Sequence, residues 1–285
     1  MINRAVIPLL LRLPNFSWRH RIPVLGREGT ISLGDKGVIT LGHTHQCQIA
    51  QELFWNDGKL GSPADRHALD IAVVLSRRAT TFFDIGAYTG LFAMVAARSN
   101  PGIRSFAYEI FPQNFLVLYD NVIRNNLLGQ VVPRLCGVAD KVREMTIPVE
   151  TSLGVLPSSF SIDWKFADGI QVPVNTLDTL HPDTDGPLVI KIDVEGFETE
   201  VLEGGRQLLE RARPDIICEV LRRAPRIAEL EDLLRSLDYR FYHITALGLV
   251  ERENIVPSKS ERDWLFSSHR AKYLRDLGIT TVNNN

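Results

Sequence analysis

Three acidic residues, each closing a short apolar run, carry most of the chemistry in this sequence. Phe82-Phe83-Asp84 runs into Ile85-Gly86-Ala87-Tyr88-Thr89-Gly90, and Phe106-Ala107-Tyr108 ends in Glu109. Leu188-Val189-Ile190-Lys191-Ile192 ends in Asp193, followed by Val194-Glu195-Gly196-Phe197-Glu198. After the first run, glycines give bare backbone that a ligand can approach, and the start of the next helix offers free N–H groups. A dinucleotide fold would place G-x-G-x-x-G here to cradle phosphate. This loop lacks that pattern and puts the Asp84 carboxylate at its mouth, which suits a cationic ligand without phosphate. The candidate binding residues are therefore Asp84, Gly86, Ala87, Tyr88, Thr89 and Gly90. Glu109, 25 residues after Asp84, stands where a carboxylate accepts both hydroxyls of a ribose. Asp140, two residues beyond the third apolar run (Val131–Val138), is a further cofactor-binding candidate.

In an open α/β sheet ligands gather at the carboxyl ends of the strands, which singles out Asp193. It is the first choice for a general base or orienting group, and Glu195 is the second. Glu198 opens a helix, where the dipole alone favours an acid. Lys191 shares a strand face with Asp193 and should be buried, so it either pairs with a carboxylate or acts as a catalytic lysine. Asp193 and Glu219 end strands expected to be neighbours and could together hold Mg²⁺. Two acids alone do not define such a site, so no metal ligand is assigned. His43 and His45 form a loop HxH that reads as decoration rather than a metal pair, and His243 as a satisfied strand histidine. Tyr108 and Tyr119 read as packing. Ser158, Ser159, Trp164 and Trp55 are candidates for gripping an acceptor.

The elements that must position these groups alternate. Apolar runs at Thr81–Ile85, Ile103–Tyr108, Val131–Val138, Leu188–Ile192 and Ile216–Val220 are separated by helical patterns at Leu91–Arg98, Gln113–Asn125 and Glu198–Arg211. That order predicts an α/β fold with a mostly parallel sheet and helices on both faces. A hairpin, Tyr239–Thr245 with Leu249–Arg252, should close the sheet. Another, Thr30–Leu33 with Val38–Leu41, should form a small β cap ahead of it. Ser62-Pro63-Ala64-Asp65 reads as a helix start. The stretch from Met145 to Thr179 carries extended pieces around a Ser- and Gly-bearing loop, a length usually tied to function. The expected division is 1–62 for an N-terminal extension and cap, 63–252 for the main domain and 253–285 for a tail in which Trp264, Leu265 and Phe266 dock.

The 285 residues suffice for one large domain, and 45% apolar with 23% charged residues is the mix of an ordinary globular protein. With 32 basic and 34 acidic residues the formal charge is −2, which gives no case for nucleic acid or an anionic membrane. No run approaches the roughly 20 apolar residues of a membrane span. The apolar stretch Ala5–Leu11 is interrupted by Pro8 and lacks a cleavage site, so no secretory signal is expected. Three widely spaced cysteines form no CxxC pair and fit a reducing compartment, hence the cytoplasm. Oligomeric state is not legible.

Together these segments resemble the FkbM-like family of S-adenosylmethionine-dependent methyltransferases. The matching text is Phe83–Gly90; Glu109 with Pro112, Phe115, Leu118 and Asn121; Val174-Asn175-Thr176-Leu177-Asp178; and Lys191–Glu198 with Leu202 and Gly204. It spans about Arg66 to Val220. The resemblance implies a class I methyltransferase fold with a Rossmann-like seven-stranded sheet. It also implies S-adenosylmethionine as methyl donor and O-methylation of a hydroxyl in a carbohydrate, glycolipid or secondary metabolite. Two positions depart from the family pattern. Tyr88 stands where Asn is usual, and Ile110 where Pro usually follows the ribose-binding acid. Two other classes stay open on the residues alone. A non-catalytic Rossmann-like binding protein would not explain acids at three strand ends, and an NAD-dependent oxidoreductase would need a phosphate loop.

Overall fold

A computed structural model describes residues 22–148 and 168–282. The elements run β1 Gly29–Ser32, β2 Val38–Leu41, α1 Gln48–Trp55, α2 Pro63–Ser76, β3 Thr81–Ile85, α3 Leu91–Ser99, β4 Arg104–Glu109, α4 Pro112–Arg124, β5 Val131–Leu135, β6 Gly137–Val138 and β7 Arg143–Ile147. They continue β8 Ile170–Asn175, α5 Leu177–Leu180, β9 Leu188–Ile192, α6 Glu198–Glu203, α7 Arg206–Ala212, β10 Asp215–Glu219, α8 Ile227–Ser236, β11 Arg240–Thr245, β12 Gly248–Arg252, β13 Asp263–Ser267, α9 Ala271–Asp276 and β14 Thr281–Val282. The apolar stretch 5–11, Ser158, Ser159 and Trp164 lie outside the described residues.

The strands β5-β4-β3-β9-β10-β13-β11-β12-β14 form one sheet of nine, two more than the seven expected. Its first five members are parallel. β13 then runs antiparallel between β10 and β11. The expected hairpin is present as β11–β12, but it does not follow β10 directly. Trp264, Leu265 and Phe266, read from sequence as a docking tail, form the strand wedged between them and are fully buried. The boundary expected after Arg252 thus falls inside the sheet. β6, β7 and β8 form a separate three-stranded sheet that carries the ends of the long insert.

Strand residues alternate between two cores, as a sheet covered on both faces requires. Phe82, Ala107, Val189, Ile217 and Leu265 face α2, α3, α4 and α9. Phe83, Ile85, Ile190, Ile216 and Phe266 face α5, α6, α7 and α8. The pattern Glu198–Arg211 reads as one helix but breaks at Gly204-Gly205. A Cβ on Gly204 would lie 2.1 Å from the Ala139 carbonyl oxygen, so the chain passes too close for a side chain. α2 starts as its residues dictate, with Pro63 in its first turn and the Ser62 hydroxyl accepting from the Asp65 N–H at 3.3 Å.

The cap is docked by α4. Asn125 exchanges two hydrogen bonds with Thr40, at 2.8 and 2.7 Å. The Asn121 amide oxygen accepts from the Gly42 N–H at 2.8 Å, while its nitrogen donates to the Thr89 carbonyl at 3.1 Å. One buried asparagine therefore ties the cap to the loop after β3. Among the described residues no helix is long and apolar enough to cross a membrane.

Candidate active site

β3 is flanked by β4 on one side and by β9 on the other, although β4 follows it in sequence and β9 comes much later. Such a reversal of strand order opens a crevice at the carboxyl ends of the two central strands. The crevice holds a cavity of about 320 Å³. Its walls come from the loop after β3 (Ile85, Gly86, Tyr88), the end of β4 with the start of α4 (Tyr108 to Phe111, Asn114), and the small sheet (Gly137, Arg143, Val174). The ends of β9 and β10 add Asp193, Glu195 and Glu219. Gln48 and Glu52 of α1, Asp65 of α2 and Arg262 before β13 close it.

Gly86 makes the crevice geometrically feasible. Its φ is +76°, and a Cβ there would lie 1.8 Å from the Asp193 carbonyl oxygen. The Asp193 N–H in turn donates to the Ile85 carbonyl at 2.9 Å. The two strand ends are thus fastened backbone to backbone, which only glycine permits.

Glu109 is 4% exposed yet lines the cavity. One of its oxygens accepts from the Tyr88 N–H and the other from the Phe111 N–H, both at 2.8 Å. Burial still outweighs these bonds and pushes its carboxyl up to about 7. Tyr88 is held at φ +50°, and its hydroxyl accepts from the Gln48 N–H at 3.3 Å, reaching across to the cap.

Residues 84–241 match the family model of the Methyltransferase FkbM domain. The chain belongs to the FkbM methyltransferase family. A curated relative, the 31-O-demethyl-FK506 methyltransferase FkbM of Streptomyces tacrolimicus, is 32% identical over 90 residues. That match takes in 31% of this chain and spans about a third (32%) of the relative's length. Among solved structures, the FkbM methyltransferase from Methylobacillus flagellatus aligns over 66% of this chain and 43% of its own, at 17% identity and a TM-score of 0.47. An S-adenosylmethionine-dependent O-methyltransferase from Thermotoga maritima aligns over 72% of this chain and 66% of its own, at 14% identity and a TM-score of 0.38.

Within this FkbM domain the sequence-selected residues separate into those that reach the cavity and those that do not. Gly86, Tyr88, Glu109, Asp193 and Glu195 line it. Asp84 does not stand at the loop mouth. It is 2% exposed and turns toward α3, where it accepts from the Ala93 N–H at 2.8 Å. In a strand buried on both faces, Asp84 shares the side of Phe82, which α3 covers. Burial pushes its carboxyl up to about 7, partly countered by the Ala93 N–H and by Lys191. Ala87, Thr89 and Gly90 support the loop from behind. Ala87 donates to the Tyr108 carbonyl, Thr89 contacts the Cys47 sulfur at 3.5 Å, and Gly90 starts α3. Asp140 lies outside the cavity lining and pairs with Lys141 and Arg143.

Lys191 also lies behind the wall. Its ammonium is 3.2 Å from Asp263 and 3.7 Å from Asp193, the carboxylate-paired form of the two readings the sequence left open. Burial opposes its charge, but the Asp263, Asp193 and Glu219 carboxylates outweigh that and hold it protonated. Burial, then the neighbouring Asp193, raises Glu195, which sits at φ +56°.

His43 is 3.0 Å from Asp120, away from the cavity, and His243 contacts the Glu261 carbonyl at 2.8 Å. Trp55 is buried and donates to the Ile22 carbonyl, so it offers no platform. Tyr108, read as packing, does more. It lines the cavity, and its hydroxyl lies 2.5 Å from His181, which stacks on Phe83. Sequence reasoning missed Gln48, Glu52, Asn114 and Arg262. Gln48, Glu52 and Arg262 reach the cavity through long-range folding, while Asn114 stands in the first turn of α4, five residues after Glu109, and no local pattern marks any of the four.

Proposed function

We propose that this protein is an S-adenosylmethionine-dependent methyltransferase acting on a hydroxyl oxygen of a carbohydrate, glycolipid or secondary metabolite. The observation that carries the reading is the charge of the cavity lining: Glu52, Asp65, Glu109, Asp193, Glu195 and Glu219 against Arg143 and Arg262. Even with Glu219 protonated, the acids outnumber the two guanidiniums, which favours a ligand with an ammonium and a sulfonium. They oppose the two phosphates of a nicotinamide dinucleotide. The name of the curated relative, a 31-O-demethyl-FK506 methyltransferase, supports oxygen as the methylated atom.

The residues present fit this donor. Glu109 holds the N–H groups of Tyr88 and Phe111, one on each oxygen, and lines the cavity, where a carboxylate can accept from ribose hydroxyls. Ile110, Phe111 and Val138 give apolar wall for a purine, and Gly86 gives bare backbone for close approach. When bound, S-adenosylmethionine supplies a methyl group activated by the sulfonium. The protein must orient the acceptor in line with that methyl group and accept its proton. Glu195 suits the second task, because burial makes it more basic. Asp193, paired with Lys191 at 3.7 Å, suits the first. As the oxygen forms its bond to the methyl carbon, the hydroxyl proton passes to the carboxylate. The carbon–sulfur pair returns to sulfur. Lys191 acts through Asp193 as a positioning residue.

The test is transfer of isotope-labelled methyl from S-adenosylmethionine to a panel of hydroxylated sugars, glycolipids and polyketides. Glu195→Gln should lower kcat by about 10²–10⁴ with unchanged affinity for S-adenosylhomocysteine. Full turnover by that variant would remove Glu195 from the role. Transfer to nitrogen, carbon or sulfur acceptors alone would contradict the O-methyl reading.

A further inference from the structure

The carboxyl ends of β9 and β10 bring together Asp193, Glu195 and Glu219, each with an oxygen within 4.8 Å of the others. Acidic groups cluster on many proteins without a ligand, so the grouping alone decides little. Glu219 sets this one apart. It is 8% exposed and lines the cavity. Its Oε1 pairs with Arg262 at 3.1 Å, while its Oε2 is sealed from solvent and meets no hydrogen-bond donor among the described residues, the Asp193 carboxylate being the side chain that faces Glu219 besides Arg262. A buried acceptor without a donor bears its full desolvation penalty unless something positive meets it.

The neighbouring cations are already committed. Lys191 serves Asp263 and Asp193, and Arg262 serves Glu219. Four carboxylates, counting Glu195, therefore share two positive charges. With all four ionised, two negative charges are left, which is the charge of one divalent ion. The donor set is all oxygen, with no histidine or cysteine, and such sets select hard cations. The spacing also fits. A Mg–O bond of about 2.1 Å puts neighbouring ligand oxygens about 3 Å apart and opposite ones about 4.2 Å apart. Side-chain adjustment alone would bring the three oxygens to those separations.

We propose that Asp193, Glu195 and Glu219 form a binding site for one hard divalent cation, Mg²⁺ or Mn²⁺, at the floor of the cavity. The Asp193 side chain is 41% exposed, so the site opens to the cavity and leaves positions for water or an acceptor hydroxyl. The chemical use of the ion rests on the methyl-transfer reading; its binding does not. A hydroxyl held on the ion gives up its proton more readily. The proton goes to the free oxygen of Glu195, and the acceptor oxygen keeps the electron pair that forms the bond to the methyl carbon. The competing occupant is a proton. Burial, then the adjacent Asp193, pushes Glu219 up to about 9, so a carboxyl–carboxylate pair would satisfy the same oxygens.

The experiment uses the full chain, stripped with EDTA and titrated with MnCl₂ near neutral pH, reading free Mn²⁺ by electron paramagnetic resonance. Mg²⁺ is then added as competitor. Asp193→Asn and Glu219→Gln are run beside the wild type, with thermal melts and S-adenosylhomocysteine calorimetry on each protein. The expected result is one Mn²⁺ per chain, displaced by Mg²⁺ and weakened by at least about tenfold in each variant that melts cooperatively. A folded wild type with no site tighter than about 1 mM would overturn the proposal. So would affinity unchanged in either folded variant, which would place the Mn²⁺ away from that carboxylate. Wild type that binds S-adenosylhomocysteine but no Mn²⁺ would sink the metal site alone. The reverse pattern would sink the donor reading alone.

Discussion

Replacing Asp84 with Asn should change the response of stability to pH while sparing ligand binding. The Asp84 carboxylate is buried at the start of α3, where its oxygen accepts the Ala93 N–H. An asparagine carbonyl can accept the same bond, so the amide keeps the cap and removes only the titration. In the folded chain Asp84 is pushed from 3.8 up to about 7 by burial. Between those values the folded state holds a proton that the unfolded state has released. Rising pH therefore favours unfolding, and the loss is complete above about 7. Each unit costs about 1.4 kcal/mol, so raising the pH from 5 to 7 penalises the wild type by about 2–3 kcal/mol through this group alone. Asn carries no such penalty. Its melting temperature relative to wild type should climb by about 5–10 °C over that interval, at about 2–4 °C per kcal/mol for a chain of this size. The assay is paired thermal melts by circular dichroism at pH 5, 6 and 7, with S-adenosylhomocysteine calorimetry at each pH. Parallel melting profiles for the two proteins would refute the buried titration. Binding lost by tenfold or more in a variant with unchanged melting would show that Asp84 meets the ligand after all.

Other expectations follow from the same geometry. Gly86→Ala forces a Cβ to within 1.8 Å of the Asp193 carbonyl oxygen at positive φ. It should abolish binding, with a fall of several degrees in melting temperature; binding equal to wild type would contradict the fastening of β3 to β9. Asn121→Ala removes the buried link between Gly42 and Thr89 and should cost about 2 kcal/mol. Hydrogen exchange should quicken across residues 38–47, and unchanged protection there would count against the docking role. His181 is pushed down to about 4, chiefly by burial. Its contribution to stability is full above the usual imidazole value of about 6.5 and is lost as pH falls toward 4. Nuclear magnetic resonance titration should find this imidazole neutral at pH 5.5, and a charged ring there would contradict the buried Tyr108–His181 contact.

The parts of the fold legible in the sequence were those set by local periodicity. β3, β9 and the β11–β12 hairpin announce themselves as short apolar runs between helical patterns, and Glu109 as an acid at a strand end. β13 was not legible, because Asp263–Ser267 is a five-residue run whose place between β10 and β11 is fixed only by long-range pairing. Asp84 shows the same limit at one residue. In a strand covered on both faces, sequence does not tell which side a polar residue takes, nor that an N–H from α3 waits there. The cavity walls from α1 and the small sheet also depend on packing between elements distant in sequence, as with Gln48, Glu52 and Arg143. Lys191 was legible as a buried charge in need of a carboxylate. That Asp263 would supply one was not, because no local pattern sets its short strand apart from a tail.

The acid-lined cavity at the β3/β9 crevice is the proposed S-adenosylmethionine site, anchored by Glu109. The most direct measurement is calorimetric titration of S-adenosylhomocysteine, and separately NADH, into wild type and Glu109→Ala, with melting curves to establish that both are folded. Wild type should bind S-adenosylhomocysteine with about micromolar affinity. The folded variant should bind at least about a hundredfold more weakly, and NADH should bind to neither. Failure of the folded wild type to bind S-adenosylhomocysteine, or NADH binding that depends on Glu109, would contradict that assignment.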